Sequence, residues 1–431
     1  MKIHIIGAGP SGMSLAWEFL RAGNDDITIY DRKLSAGGSW WEPEIETRDL
    51  HAHRIVFDRA FINTQSLFDE MNISWDDIFQ PVNKKKYLDT AFKSLSFGDY
   101  RTLISLCYRV LMQSDTYKEI SLVNAIGPLS EKGQGYIEHL PLIMDGVTWD
   151  VMSAYEFVKN IDHTSLSNMY TQRVSGKVMC DAMEKCLLDH GVNFVFGTEV
   201  TSIEYRSDGY SAKFDTDQII NDGMLFLCVD NSPALKLLGD NWGPDAEKKL
   251  RGSTYGAINV LLDYDEKPVL KTDIEIATQT KWNLQPKVLS DGKTVSCVIC
   301  NLTEEILSSS PEVIKEEVLK QLGLPQPNTI RIGWGAEWED DKWTFSQSSG
   351  VLSLHGQLPF FGNCSKVAMC GMMSPRNTPY SSIESAVEVS RSLSHQVFGT
   401  RKPLKPILVS HVLLYTFVIL IVLTLVYFKK K

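Results

Sequence analysis

Apolar and polar positions divide the first thirty residues into a strand, a turn, a helix and a second strand. Residues 3–6 form an apolar run that predicts a strand. Residues 13–22 repeat apolar side chains at helical spacing and end at Gly23, which predicts an amphipathic helix. Residues 27–31 predict a second strand, whose last residue is Asp31. The chain therefore begins with the order typical of an α/β domain.

The rest of the chain continues to alternate between helical and strand-like patterns. Helical spacing recurs in residues 63–71, 88–112, 177–190, 232–238, 311–322 and 381–394, and short apolar runs predict strands in residues 192–205, 210–214, 224–229, 257–262, 294–299, 329–334 and 366–371. Residues 80–165 interrupt this order with mixed helical periodicity, which indicates an inserted helical cap. At 431 residues the chain is long enough for two domains.

The last apolar stretch differs from the others in its length and in its lack of charge. Residues 407–428 contain no Asp, Glu, Lys or Arg, and basic residues lie on both sides of them. A helix of this length, at about 1.5 Å per residue, crosses a hydrocarbon core of about 30 Å. We therefore expect residues 404–428 to be a transmembrane tail anchor in a lipid bilayer.

The orientation of this tail is expected from the start of the chain. Met1 and Lys2 lead directly into the first strand, without the apolar segment of a signal peptide. We therefore expect the globular body to face the cytosol, with the mitochondrial outer membrane or the endoplasmic reticulum as the membrane.

Charge and cysteine content exclude some functions. The net charge of −10 argues against a nucleic-acid partner. The eight cysteines lack the spacing of metal ligands, and the nearest pair, Cys297 and Cys300, lies in an apolar run. Buried thiols in a reducing compartment explain them better than a metal site, so no metal is expected.

The first turn has the glycine spacing of a dinucleotide-binding site. Gly7 allows the tight turn, Gly9 lets a pyrophosphate approach the backbone, and Gly12 lets the helix pack close to the sheet. The helix N-terminus then offers free N–H groups to the phosphates. Asp31 follows Gly12 by 19 residues and is placed to accept hydrogen bonds from a ribose. We predict cofactor contacts at Gly7, Gly9, Pro10, Ser11, Gly12 and Asp31.

A second pair of glycines follows closely. Gly37 and Gly38 would let the chain turn back beneath the cofactor. The residues around this pair could bring donors to phosphate, which adds Arg32, Gly38, Ser39 and Trp40 to the predicted contacts.

These two glycine motifs, the segment from Gly176 to Leu238 and a final strand–glycine–helix together resemble the FAD-binding domain of the flavin amine oxidase and phytoene desaturase group. UDP-galactopyranose mutase is a more distant relative with the same cofactor domain. The resemblance implies an α/β fold with a Rossmann-like FAD domain of residues 1–60, 166–252 and 346–403. A mixed α+β substrate or cap domain of residues 61–165 and 253–345 would be interleaved with it.

The resemblance also implies contacts far from the first turn. The backbone at Val200 would meet the adenine, Gly371 would end the last strand beside the cofactor, and the N–H of Ile383 would meet the pyrimidine edge of the flavin. The chain departs from the family at three positions: Met372 replaces an acidic residue, Ser385 replaces a glycine, and Ser39 replaces an arginine.

Three side chains are candidates for catalysis. Tyr380 could present its ring to the flavin face and hold an amine by a cation–π contact, although an ordinary packed tyrosine has the same pattern. Lys281 could lie near the reactive flavin nitrogen, but a solvated surface lysine fits the sequence better. His53 could face the substrate or could be a structural histidine.

We therefore expect a membrane-anchored FAD-dependent oxidoreductase, amine oxidase-like, that acts on a small or lipophilic substrate. A catalytically degenerate FAD-fold binding protein and a mutase-like enzyme remain alternatives. Residues 37–40 also resemble a motif of flavin-containing monooxygenases, but these enzymes need a second glycine fingerprint for NADPH. Gly133 and Gly135 are expected to follow no strand and to open no helix, which disfavours that alternative.

Overall fold

The computed structural model describes residues 1–40, 54–206, 208–252, 255–268, 280–289, 291–333, 335–345, 354 and 356–416. The strands, in chain order, are β1 (Ile3–Ile6), β2 (Ile27–Asp31), β3 (Ile55–Phe57), β4 (Phe79–Pro81), β5 (Met169–Gln172), β6 (Asn193–Phe196), β7 (Val200–Tyr205), β8 (Tyr210–Phe214), β9 (Ile219–Ile220), β10 (Met224–Leu227), β11 (Ile258–Asp263), β12 (Gln285–Val288), β13 (Thr294–Ile299), β14 (Thr329–Ile332), β15 (Ala336–Glu339), β16 (Lys342–Phe345) and β17 (Val367–Met369). The helices are α1 (Pro10–Arg21), α2 (Ile62–Glu70), α3 (Trp75–Ile78), α4 (Lys84–Ser94), α5 (Phe97–Met112), α6 (Ser114–Lys118), α7 (Leu122–Ala125), α8 (Glu131–Asp145), α9 (Ala154–Thr164), α10 (Gly176–Asp189), α11 (Asn231–Leu237), α12 (Ala246–Gly252), α13 (Glu304–Leu307), α14 (Pro311–Leu322) and α15 (Ile383–Phe398).

A five-stranded parallel sheet contains the N-terminal motif. Its strand order is β17-β10-β1-β2-β6, so β1 lies in the centre. All four residues of β1 are buried, as expected for a parallel strand covered on both faces. Helices α1 and α15 pack against each other, and their apolar residues share one core with β1 and α10. The predicted Rossmann-like sheet is confirmed.

Besides the two-stranded hairpin β15–β16, the described part of the chain contains three antiparallel sheets. One has the order β12-β13-β11-β14 and is covered by α14, and the hairpin β15–β16 packs into the same core. Another pairs β3 and β4 with β5, and the third pairs β7, β8 and β9. The helical pattern of residues 80–165 corresponds to α4–α9, of which α5 and α9 pack in a core of their own.

Packing places one predicted boundary differently. Residues 61–165 were assigned to the cap, yet Phe61, Phe68 and Phe79 belong to the core of the parallel sheet. The separate helical core contains residues from Leu106 onward. The described part of the chain therefore joins α2 and α3 to the predicted FAD domain.

One helical prediction needs correction. The helical pattern of residues 88–112 belongs to two helices, since α4 ends at Ser94 and a capping box of Ser96 and Asp99 starts α5. Gly133 lies in the first turn of α8, so the expectation that this segment opens no helix is wrong. A Cβ on Gly133 would lie 2.5 Å from a carboxylate oxygen of Asp99, so packing accounts for the glycine.

The C-terminal segment runs along the body before a helix begins at residue 409. Asn63 holds this segment, since its Oδ1 accepts the N–H of Leu404 at 2.8 Å and its Nδ2 donates to the Leu404 carbonyl at 3.0 Å. No helix within the described residues is both long and apolar enough to cross a membrane. Residues 417–428 of the predicted anchor lie outside the described residues.

Candidate functional site

The first glycine turn is closed by contacts that only glycine allows. Gly7 has a φ of +108° and donates its N–H to the Tyr30 carbonyl at 2.7 Å. A Cβ on Gly12 would lie 1.9 Å from the carbonyl oxygen of Gly7. The spacing of these two glycines therefore sets how closely α1 follows β1.

The two glycine motifs touch each other through their backbones. A Cβ on Gly38 would lie 2.7 Å from the Cα of Gly9, and a Cβ on Gly9 would lie 3.3 Å from the Cα of Gly38. Gly37 also donates its N–H to the carbonyl of Ala8 at 2.9 Å. Residues that are 29 positions apart in the sequence thus form one surface free of side chains.

The N-terminus of α1 at this surface is left free for an anion. Gly9 is the N-cap and offers no side-chain hydrogen bond, Pro10 occupies the first turn, and no acidic residue lies there. The first-turn N–H groups, including that of Ser11, and the positive end of the helix dipole are typical of a phosphate site. The residues therefore fit the pyrophosphate of a dinucleotide.

Asp31 ends β2 beside this turn. Its carboxylate accepts the N–H of Ala8 at 2.7 Å and the N–H of Lys33 at 2.9 Å. A carboxylate has about four acceptor sites, so it can also accept a ribose hydroxyl. Arg32 is exposed and lies 3.8 Å from Glu199, an ion pair outside the turn.

Lys33 is a residue of this site that the sequence reasoning missed. Its ammonium donates to the carbonyl of Gly38 at 2.9 Å. Burial lowers its pKa to about 8, although the charge of Asp31 opposes the shift. Lys33 lies two residues beyond the end of β2, so strand alternation could not have identified it.

Trp40 fixes the second glycine turn in place. Its buried ring leaves no room for a Cβ on Gly176, which would lie 2.6 Å from the ring. The guanidinium of Arg54 lies 4.2 Å from the ring centroid and donates to the Ser39 carbonyl at 3.1 Å. Trp40 and Ser39 therefore pack against protein groups on one side of the turn.

Segments from later in the chain reach the same region. The N–H of Thr198 donates to the carbonyl of Asp31 at 3.0 Å, and Val200 is buried two residues later. On the opposite flank of the turn, Ser390 of α15 donates its hydroxyl to the carbonyl of Ser11 at 2.9 Å. The structure thus brings the predicted adenine segment and the closing helix to the N-terminal motif.

The start of α15 explains why Ser385 stands where the resemblance leads us to expect a glycine. Ser382 accepts the N–H of Ser385, and the Ser385 side chain accepts the N–H of Ser382 at 2.9 Å. Ser385 thus completes a capping box and leaves the N–H of Ile383 outside it. Gly371, which follows the last strand, would place a Cβ 3.1 Å from the carbonyl of Val229.

The three candidate catalytic residues lie in different surroundings. The Tyr380 ring is buried, stacks on Phe61 at 5.7 Å and meets the edge of His163 at 6.3 Å. Its hydroxyl has no partner among the described residues, and burial raises its pKa. Lys281 is on the surface, in an ion pair with Glu305 at 2.5 Å. His53 lies outside the described residues.

A buried polar cluster beside Tyr380 was also missed. Arg376 donates to the Tyr380 carbonyl at 2.8 Å, and Asp145 accepts the N–H of Ser381 at 3.3 Å. Burial raises the pKa of Asp145 to about 7. Asp145 ends α8 in the cap, 236 residues before Ser381, so no local pattern could place it here.

Solved structures share this fold over nearly the whole chain. An oxidoreductase from Methanosarcina mazei has a TM-score of 0.62 and 15% identity, covering 91% of this chain and 99% of that chain. Putrescine oxidase bound to putrescine has a TM-score of 0.63 and 14% identity, covering 92% and 99%. An Exiguobacterium sp. 255-15 protein with the provisional name protoporphyrinogen oxidase has a TM-score of 0.62 and 13% identity, covering 92% and 98%. The chain has the fold of the flavin amine oxidases, as its motifs predicted.

Sequence comparisons add little to this. No protein-family model matches the chain. A curated thiamine thiazole synthase from Desulfosudis oleivorans (strain DSM 6200 / JCM 39069 / Hxd3) is 42% identical over 41 residues, which are 10% of this chain and 16% of that protein. A match of this length concerns one segment and not the whole molecule.

Proposed function

We propose that this protein is an FAD-dependent oxidoreductase of the amine oxidase type. The observation that carries the proposal is the backbone contact between Gly9 and Gly38 at the free N-terminus of α1. The fold shared with putrescine oxidase supports the same conclusion.

FAD, when bound, would supply the hydride acceptance that an oxidation needs. The residues of this chain would bind and orient it. The N-terminus of α1 would hold the pyrophosphate, and Asp31, which its bonds to Ala8 and Lys33 fix in place, would accept a ribose hydroxyl. At the start of α15, the N–H of Ile383, which the capping box does not use, and the helix dipole would favour negative charge on the flavin ring.

Tyr380 orients the substrate in this proposal. Its ring is held by Phe61 and its backbone carbonyl by Arg376, so the aromatic face is rigid. An apolar, aromatic wall excludes water and can hold an ammonium group by a cation–π contact.

The flavin content of the purified full-length protein tests the cofactor. We expect a yellow protein with a flavin spectrum, and about tenfold weaker FAD retention in Gly9→Ala, whose methyl group fills the surface where phosphate approaches. Gly98→Ala is the matched control, because its Cβ meets only ordinary van der Waals contact in α5. A colourless protein that free FAD cannot reconstitute would reject the proposal.

The reaction class needs a second measurement. Anaerobic bleaching of the flavin by a primary amine is expected for an amine oxidase. Retention of FAD without bleaching by any amine favours a degenerate binding protein, an alternative that Met372 supports because it replaces the usual acid after Gly371. Bleaching by NADPH would favour a monooxygenase, and sugar-nucleotide binding without oxygen use would favour a mutase.

We also propose that the tail anchors the body on the cytosolic side of a membrane. The uncharged residues 407–428 support this, as does the binding of Leu404 by Asn63, which brings the chain to the start of the tail in a fixed position. Membrane pellets that release the protein on carbonate extraction would contradict the anchor. Protease protection of the body in intact organelles would contradict the orientation.

A further inference from the structure

Helix α5 has apolar side chains on two opposite sides. Leu106 and Val110 are fully buried and pack in the core of the helical cap. On the other side, Phe97, Ile104 and Tyr108 are 87%, 69% and 67% exposed. A helix of the protein surface normally turns polar residues to solvent, so the outer side of α5 needs a partner.

The exposed residues form one continuous stripe. Phe97, Ile104, Tyr108 and Leu111 follow one another at intervals of one or two helical turns, and Met112 lies one turn after Tyr108. We call these five residues the α5 outer face. Arg101 lies within the stripe. The single acidic residue of α5, Asp99, is buried and accepts hydrogen bonds from Ser130. The outer face is therefore apolar with a positive charge and no negative one.

Neighbouring residues extend this character. Phe92 of α4 is also exposed, and its ring lies 6.2 Å from that of Tyr100. Lys85, Asp89 and Lys93 of α4 are exposed as well, so this side of α4 carries two positive charges and one negative charge. Aromatic and aliphatic side chains flanked by lysine and arginine are typical of a helix that lies in a membrane interface.

The tail leaves the body next to this helix. Ser410 donates its N–H and hydroxyl to the carboxylate of Asp162 at 2.7 and 2.9 Å. Asp162 belongs to α9, which packs against α5. Burial and then the nearby Asp162 carboxylate raise the pKa of the Cys107 thiol on α5. Asp162 therefore lies between the start of the tail and α5.

The described turns of the tail helix are apolar and exposed as well. Val412, Leu413, Leu414 and Tyr415 all face outward. The sequence continues without a charged residue to Phe428 and ends in three lysines. The start of this apolar tail thus lies near α5, since Asp162 of α9 binds Ser410 and also lies close to Cys107 of α5.

We infer that the α5 outer face is a lipid-binding surface, lying at the boundary between headgroups and acyl chains of an anionic membrane beside the tail. The inference rests on the proposed membrane tail, and the nearness of α5 to that tail, together with its basic flank, favours a lipid surface over a second protein. Arg101 and the lysines of α4 would meet the anionic headgroups, and the ring of Phe97 and the side chain of Ile104 would enter the acyl region.

Photo-crosslinking in the full-length protein tests this inference without relying on activity. The protein carries Ile104→benzoylphenylalanine and is reconstituted in vesicles of phosphatidylcholine with a minority of phosphatidylglycerol. We expect a mass increase of one phospholipid after irradiation. The matched control is Val313→benzoylphenylalanine, since Val313 is an exposed apolar residue on α14, and there we expect no lipid adduct.

A charge variant completes the test. Ile104→Asp should reduce lipid adducts formed from Tyr108→benzoylphenylalanine several-fold, while circular dichroism stays unchanged because residue 104 is exposed. Crosslinks between two copies of the chain would instead make the outer face a dimer interface and overturn the inference. The absence of lipid adducts from both positions 104 and 108, in protein that stays in the vesicles after a carbonate wash, would overturn it as well, whereas release of the protein by that wash would contradict the proposed anchor.

Discussion

Asp145 is a single residue whose position sets a pH dependence. It is the last residue of α8, where the helix dipole disfavours negative charge, and burial raises its pKa to about 7. The folded protein therefore binds a proton that the unfolded chain releases near pH 4. Stability contributed by this group is present below about pH 4 and is lost as the pH rises toward 7.

Asp145→Asn should remove this loss. Asparagine keeps an oxygen acceptor for the N–H of Ser381 and cannot ionise. We expect a higher melting temperature than the parent protein at pH 8 and little difference at pH 4. The gain is of the order of a few kcal/mol, since a tenfold change in an ionisation constant corresponds to about 1.4 kcal/mol. Asp25→Asn, at an exposed position, is the control; an equal effect at both pH values would contradict the assignment.

Some residues of the candidate site could be predicted from the sequence and others could not. Gly7, Gly9 and Gly12 could be predicted because each has a local backbone reason to be glycine. The contact between Gly9 and Gly38 also needs glycine for a backbone reason, but it joins two separate turns. Asp145 could not be predicted, because its partner Ser381 lies in another element and sequence periodicity reports only on neighbours along the chain.

The capping box of α15 gives a prediction for one helix. Ser382→Ala removes the acceptor for the N–H of Ser385 and should lower the free energy of unfolding by about 1 kcal/mol. Ser310 caps α14 without a side-chain hydrogen bond, so Ser310→Ala should change the free energy of unfolding much less. Chemical denaturation of both variants gives the comparison. Equal losses would show that the box does not hold the helix start.

Helices and strands were predicted well where periodicity is strong and less well at their ends. The helix expected at residues 177–190 is Gly176–Asp189, and the helix at 311–322 has the predicted bounds. The helical pattern of residues 88–112 spans two helices, and the apolar spacing does not show the break at Leu95. Polar caps, such as that of Ser96 with Asp99, end helices without changing the apolar pattern.

The order of the parallel sheet could be expected only from the family resemblance. Its strands come from residues 3–6, 27–31, 193–196, 224–227 and 367–369, and propensity does not say which of them are neighbours. The packing of α2 with α1 and α15 likewise could not be predicted from any single segment. Charged residues of these three helices hold them together, and they form a network that no single segment contains.

Four charges link α1, α2 and α15 to the chain that leads to the tail. Arg391 is fully buried and donates to Glu18 at 2.9 Å and to Glu70 at 3.2 Å, and Arg401 binds the same two carboxylates. Burial alone would raise the pKa of Glu70, but hydrogen bonds from Arg401, Trp17 and Ser66 lower it to about 2. Its contribution to stability is therefore complete above about pH 4.5 and is lost as the pH falls toward 2.

Glu70→Gln should consequently lower the free energy of unfolding of the protein and make that free energy less dependent on pH in acid. Removing one carboxylate leaves Arg391 short of a buried partner, so we expect a loss of about 3 kcal/mol at pH 7. The parent protein should lose that advantage between pH 4.5 and 2, because Glu70 then becomes protonated in both states. Melting temperatures of the two proteins across this range give the difference, with Asp25→Asn as an exposed control. A difference that stays constant with pH would mean that Glu70 acts through packing and not through its charge.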